Sequence, residues 1–179
     1  MKECDAKGAL PGELYAGEGD GKCYVIRELR DDETPLLKDF LYEAIFIPEG
    51  VEPPSKDIVE LPELRVYTDA FGSGARDYCL VADLDGKPVG AVWSRIMNDY
   101  GHLDDDTPSL AIALYKPHRG HGLGTQLMLR MLDLLTDRGC RTASLAVQKA
   151  NYAVKMYEKV GFRIVEDRGE EWLMRWEAE

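Results

Sequence analysis

Apolar and polar positions along the chain change period several times, and each change marks an element. Cys23 to Leu29 reads as a strand, and the acid-rich Asp31-Asp32 before Pro35 is a helix-start signature. Leu36, Leu37, Phe40, Leu41, Ala44 and Ile45 then form an i, i+3, i+4 stripe, closed by Pro48 and Gly50. Val51 to Pro54 is turn-like, and Pro62 opens a second predicted helix reaching about Phe71 before Gly72 and Gly74. Two strands, Tyr78 to Ala82 and Val89 to Ile96, flank Asp85-Gly86, a strong hairpin signal.

Ser109 to Tyr115 is apolar almost throughout, as a central strand covered on both faces would be. Beyond a glycine-rich loop, Leu123, Leu127, Met131, Leu134 and Leu135 define a long helix that should stop at Gly139. Thr142 to Val147 is a further buried strand, and Asn151 to Val160 a shorter helix ended by Gly161. Phe162 to Glu166 and Trp172 to Trp176 close the chain as strands around an Arg-Gly turn. The order predicts an α/β (α+β) fold: one domain over 22–179 with a central mixed six- or seven-stranded sheet flanked by about four helices. Residues 1–21 are glycine-rich without a sustained period and read as a loosely structured extension.

Composition narrows the function classes. A chain of 179 residues buries enough surface to need no disulfide scaffold, and its four cysteines include no C-x-x-C pair. No apolar run approaches the length of a membrane span, so a soluble cytoplasmic protein is expected, without membrane or nucleic-acid partners and as a monomer or homodimer. A net charge of −11 opposes wholesale binding to nucleic acid. The charge is uneven, however. Between Thr107 and Tyr157 the bases Lys116, Arg119, Arg130, Arg138, Arg141, Lys149 and Lys155 face only Asp133 and Asp137, which suits a small polyanion.

That basic stretch begins where a buried strand meets Lys116-Pro-His-Arg-Gly-His-Gly-Leu-Gly-Thr125 and a helix start. Glycines let backbone approach an anion, and the first helical N–H groups lack partners while the helix dipole makes them positive. Gly120, Gly122 and Gly124 surround Arg119 and His121, so the backbone donors of His121 to Thr125 can converge on a pyrophosphate. A P-loop needs a lysine before Thr125, and a dinucleotide fingerprint needs glycine at that position; this loop has neither.

Arg119-x-x-Gly122-x-Gly124 after an apolar strand resembles the acetyl-CoA signature of the GCN5-related N-acetyltransferase (GNAT) family. The likeness continues through Ser144-Leu-Ala-Val147 and the Asn151-led helix carrying Tyr157 before Gly161-Phe162. The resemblance implies a pantetheine arm held between the strands Ser109 to Tyr115 and Thr142 to Val147, with backbone near Leu114 and Tyr115 touching the cofactor. It implies that Arg119, Gly120, Gly122 and Gly124 bind acetyl-CoA, that Asn151 bonds the cofactor arm, and that Tyr157 protonates the departing thiolate.

Asn151 reads equally as a helix N-cap, and Tyr157 as a core aromatic. Many family members carry a glutamate base on the strand Ser109 to Tyr115; this chain has none there, leaving Glu43 and the run Asp104-Asp105-Asp106 as candidates. By the same resemblance Glu43, Trp93 and Arg95 border the acceptor pocket. His118 and His121 have no carboxylate or thiolate close in sequence, so no metal is expected. The resulting expectation is an N-acetyltransferase acting on a primary amine by direct attack, with a non-catalytic acyl-CoA-binding module on the same fold as the alternative.

Overall fold

A computed structural model describes residues 21–178 and, as backbone, residues 13–16. Its strands are β1 (Glu13–Ala16), β2 (Cys23–Glu28), β3 (Tyr78–Leu84), β4 (Lys87–Arg95), β5 (Ser109–Leu114), β6 (Thr142–Gln148), β7 (Arg163–Asp167) and β8 (Glu171–Glu177). The helices are α1 (Leu36–Ala44), α2 (Pro62–Arg65), α3 (Leu123–Asp137) and α4 (Ala153–Lys159). One sheet holds all eight strands in the order β1-β2-β3-β4-β5-β6-β8-β7. Only β5 and β6 run parallel, so the sheet is mixed as the sequence predicts.

Period-two alternation sends side chains to two separate cores. Leu80, Ala82 and Val92 pack under α3 with Leu127, Met128 and Met131. Cys79, Val81, Ala91 and Trp93, one position out of phase, meet Leu37, Phe40 and Leu41 of α1 on the other face. The β3–β4 hairpin turns on Asp85 and Gly86, both at positive φ (54° and 83°), the backbone that a two-residue hairpin of this hand demands.

Two elements differ from the sequence reading. β1 lies within the segment read as loosely structured and pairs antiparallel with β2, from Glu13↔Ile26 to Ala16↔Cys23. An open sheet edge recruits backbone groups, for which sequence periodicity carries no signal. The rest of that segment, apart from Gly21, lies outside the described residues.

The second helix ends at Arg65 instead of running to Phe71. Side chains from the sheet take its next carbonyls: Arg95 Nη1 donates to Val66 O (2.9 Å) and Asp69 O (2.8 Å), and Trp93 Nε1 donates to Tyr67 O (3.2 Å). With those acceptors engaged sideways the segment continues as tight turns, Ala70 reaching a φ of 48°.

Although a chain of this size needs no disulfide scaffold, Cys23 is disulfide-bonded, while Cys79 and Cys140 are free and buried. No helix among the described residues is long and apolar enough to cross a membrane.

Candidate active site

β5 and β6 are pinned together at one end and part towards the other. Ser109 and Ser144 form their paired position, and Ser144 N donates to Pro108 O (3.0 Å). Polar side chains fasten that end. Ser144 Oγ donates to Gly101 O (2.7 Å), Ser109 Oγ donates to Asp99 Oδ1 (2.7 Å), and the hydroxyls of Thr107 and Thr142 lie 2.9 Å apart. Gly101 sits so close to β6 that a Cβ there would lie 3.2 Å from Ala146 N. Towards their C-terminal ends the strands diverge, and a cleft of about 670 Å³ opens between β5, α4, the glycine loop and the end of α1.

The register of β5 decides which backbone groups face this cleft. Tyr115 donates its N–H to Val89 O on β4 (3.0 Å), and Gly90↔Leu114 is the adjacent pair. Alternation along an antiparallel ladder therefore turns the N–H groups of Ile112 and Leu114 the other way, to the gap. Of the two backbone positions expected to touch a cofactor, Leu114 faces the cleft, whereas the amide of Tyr115 is committed to the sheet.

At the cleft's broad end the chain passes a 3-10 turn, Lys116–His118, and enters α3 through Gly120 and Gly122, at φ of 80° and 77°. A side chain disfavours this left-handed backbone, and glycine reaches it freely. Gly122 is the N-cap of α3 and its carbonyl accepts from Gln126 N (3.1 Å). The N–H groups of Leu123, Gly124 and Thr125 thus stand in the first turn of a 15-residue helix, where no preceding carbonyl reaches them and its dipole is positive. Gly120, Gly122, Gly124 and Thr125 line the cleft. Leu123 turns its side chain wholly into the core and contributes backbone alone.

Tyr157 and Asn151 border the cleft from α4 and its approach. Tyr157 is 8% exposed, packs edge-to-face on Phe162 with ring centroids 6.0 Å apart, and burial pushes its phenol well above the ordinary tyrosine range. Asn151 lies one residue before Tyr152, the N-cap of α4, and its Oδ1 accepts from Ala153 N (2.9 Å), so its side chain holds the approach to the helix from within the cleft wall.

Other sequence candidates go elsewhere. Trp93 is fully buried among the α1-side core residues. Arg95 is an internal brace: besides its two carbonyl bonds it pairs with Asp77 (Nη2 to Oδ2, 2.9 Å) and lies over the Phe71 ring. Neither lines the cleft. Asp104 holds a turn, its Oδ1 accepting from Thr107 N (2.8 Å) and Asp106 N (3.0 Å), and the side-chain hydrogen bond from Thr107, followed by these backbone bonds, keeps its carboxyl below the usual range. His118 Nδ1 is 3.1 Å from the hydroxyl of Tyr24, and no group of three or more His, Cys, Asp or Glu suited to a metal occurs among the described residues.

Glu43 does reach the cleft, bound to Arg119 (Oε2 to Nη2, 2.8 Å). The sequence reading missed the wall that follows it, formed by Phe46, Ile47, Pro48, Val51 and Pro53. Its one sequence signal is an apolar run continuing past the end of α1, which periodicity assigns to no element.

Residues 39–162 match the family described as "Acetyltransferase (GNAT) family". The chain is 28% identical over 121 residues to a thialysine N-epsilon-acetyltransferase of Sus scrofa, covering 60% of this chain and 68% of that protein. It is 36% identical over 111 residues to an N-alpha-acetyltransferase of Sulfolobus acidocaldarius, covering 57% of this chain and 61% of that protein. In fold it resembles a PaiA N-acetyltransferase from Thermoplasma acidophilum solved in complex with coenzyme A, with a TM-score of 0.64 at 18% identity over 87% of this chain and 99% of that one.

Proposed function

The chain belongs to the acetyltransferase (GNAT) family, and we propose that it moves an acetyl group from acetyl-CoA to a primary amine by direct attack, with Tyr157 as general acid. The observation that carries the reading is the juxtaposition, in one cleft, of a splayed β5–β6 gap, a helix start rich in backbone donors and a buried tyrosine hydroxyl. The two curated relatives are named as N-acetyltransferases, which supports an amine acceptor.

In this reading the amides of the first turn of α3 hold the pyrophosphate and the pantetheine arm lies between β5 and β6. The N–H of Leu114 meets the thioester carbonyl and the oxyanion that forms on it, a preorganised donor that needs no rearrangement as charge develops. The neutral amine attacks the carbonyl carbon, the C–S bond breaks, and the departing thiolate takes the phenolic proton of Tyr157. Burial keeps Tyr157 protonated, and the same desolvation raises the proton affinity of a thiolate leaving beside it. The amine's own proton leaves to solvent or to a base that no side chain on β5 supplies.

Two measurements test this. Calorimetric titration with acetyl-CoA should give micromolar binding, about 8 kcal/mol. Release of CoA with a panel of amines should fall by roughly 10²–10⁴ in kcat for Tyr157→Phe while cofactor affinity holds. Binding without turnover on any amine would instead identify a non-catalytic acyl-CoA-binding module.

A further inference from the structure

Arg119 occupies the motif position that the resemblance assigns to the cofactor, yet two of its three guanidinium nitrogens are already committed to the protein. Nε donates to Leu114 O (2.8 Å), and Nη2 donates to both Glu43 Oε2 (2.8 Å) and Glu43 O (3.2 Å). These acceptors belong to the last residue of β5 and the penultimate residue of α1. A cation is well placed there, because the final carbonyls of a helix lack intrahelical donors and its dipole end is negative.

The tie spans the cleft at a place where the chain is otherwise weakly determined. Directly after Arg119 come Gly120 and Gly122, whose backbone freedom leaves the loop's shape to be fixed by whatever anchors it. Directly after Glu43, α1 ends as Ile45 turns extended (φ −65°, ψ 118°), and the chain becomes the opposing apolar wall from Phe46 onward. One ion pair thus joins the roots of both walls to the end of β5, the strand whose Leu114 amide faces the gap.

We propose that Glu43 is a positioning residue acting through Arg119: the pair sets the spacing between the glycine loop and the wall after α1, and Arg119 serves the cofactor by holding the loop, not by contacting phosphate. The inference rests on the reading that this cleft takes acetyl-CoA. It also assigns Glu43 a role other than that of the missing base.

The signs of the expected effects separate the possibilities. Calorimetric titration with acetyl-CoA on the full chain would compare the parent with Glu43→Ala, Glu43→Gln, Arg119→Ala and the Glu43→Ala/Arg119→Ala double variant. Glu43→Ala should weaken binding by about tenfold, Arg119→Ala by at least as much, and the double variant no further than Arg119→Ala, the non-additivity of residues acting as a unit. Glu43→Gln keeps an acceptor oxygen and the packing, so it should restore most of the affinity and keep kcat near the parent value.

Were Arg119 a phosphate ligand, Glu43→Ala would free its guanidinium, and unchanged or tighter binding in that variant would overturn the proposal. A loss of kcat in Glu43→Gln as deep as in Glu43→Ala would overturn it in favour of a base. A parent that binds no acetyl-CoA would sink the functional reading itself, an outcome distinct from a parent that binds while its Glu43 variants fail to weaken.

Discussion

Tyr157 shows how much of a residue's chemistry is set by where it sits. A phenol titrates near 10 in water. Here burial on α4 against Phe162 raises that value, so the neutral, proton-donating form persists further into alkali. With Tyr157 in the proposed role, the kcat profile should therefore show no loss of general acid between about pH 8 and 10, with any decline in that window tracing to another group. The same shift has a stability cost at high pH. Above about 10 the unfolded chain releases this proton while the folded one retains it, so the urea midpoint should fall as pH rises beyond that point. Tyr67, raised by its own burial and by Asp99, contributes with the same sign. Arg119 teaches the converse: motif spacing locates the residue, but only the folded chain reveals that its donors end on Leu114 and Glu43.

Elements were legible where a local pattern and a local signal agreed. The i, i+3, i+4 stripe of α1, the Asp85-Gly86 hairpin and the apolar run of β5 each declare themselves within a dozen residues. The start of α3 belongs to this class, because three glycines ahead of an amphipathic stretch permit the backbone that Gly120 and Gly122 adopt. At Gly122, φ 77°, Gly122→Ala should cost roughly 1 kcal/mol in urea unfolding from left-handed backbone strain alone. Gly122→Glu adds a carboxylate at the proposed pyrophosphate site and should abolish acetyl-CoA binding in the same calorimetric assay. α2 was less legible: its sequence supports a longer helix, and it stops because Trp93 and Arg95, distant in sequence, claim the carbonyls of residues 66, 67 and 69.

At the scale of the whole molecule, the β2–β3 end of the sheet is organised by a buried charge network. Arg27 on β2 pairs with Glu33 (2.7 Å) and Asp83 (2.6 Å), all with side chains at most 6% exposed. Arg27→Ala would leave the buried Asp83 without its cationic partner and Glu33 with Arg30 alone, and should destabilise by about 3 kcal/mol in urea unfolding. The hydrogen bond from Arg27 holds the Glu33 carboxyl below its ordinary value. That stabilisation is present above the unfolded carboxyl pKa, about 4.3, and is lost as pH falls through the lower folded value, so acidification should lower the parent's urea midpoint and do so less in the Arg27 variant.

What the sequence determined by itself is therefore the mixed α/β order and the strand–glycine loop–helix device, because each rests on neighbours within one or two turns of chain. Tertiary structure alone decided the rest. It recruited Glu13–Ala16 as an edge strand and withdrew Trp93 and Arg95 from the cleft. It also brought Glu43 onto Arg119 across 76 positions. The physical reason is common to all of these: periodicity reports which face of an element is buried, whereas partners that meet through the sheet, or across a gap between parting strands, are chosen by packing and by the need of buried polar groups for hydrogen bonds.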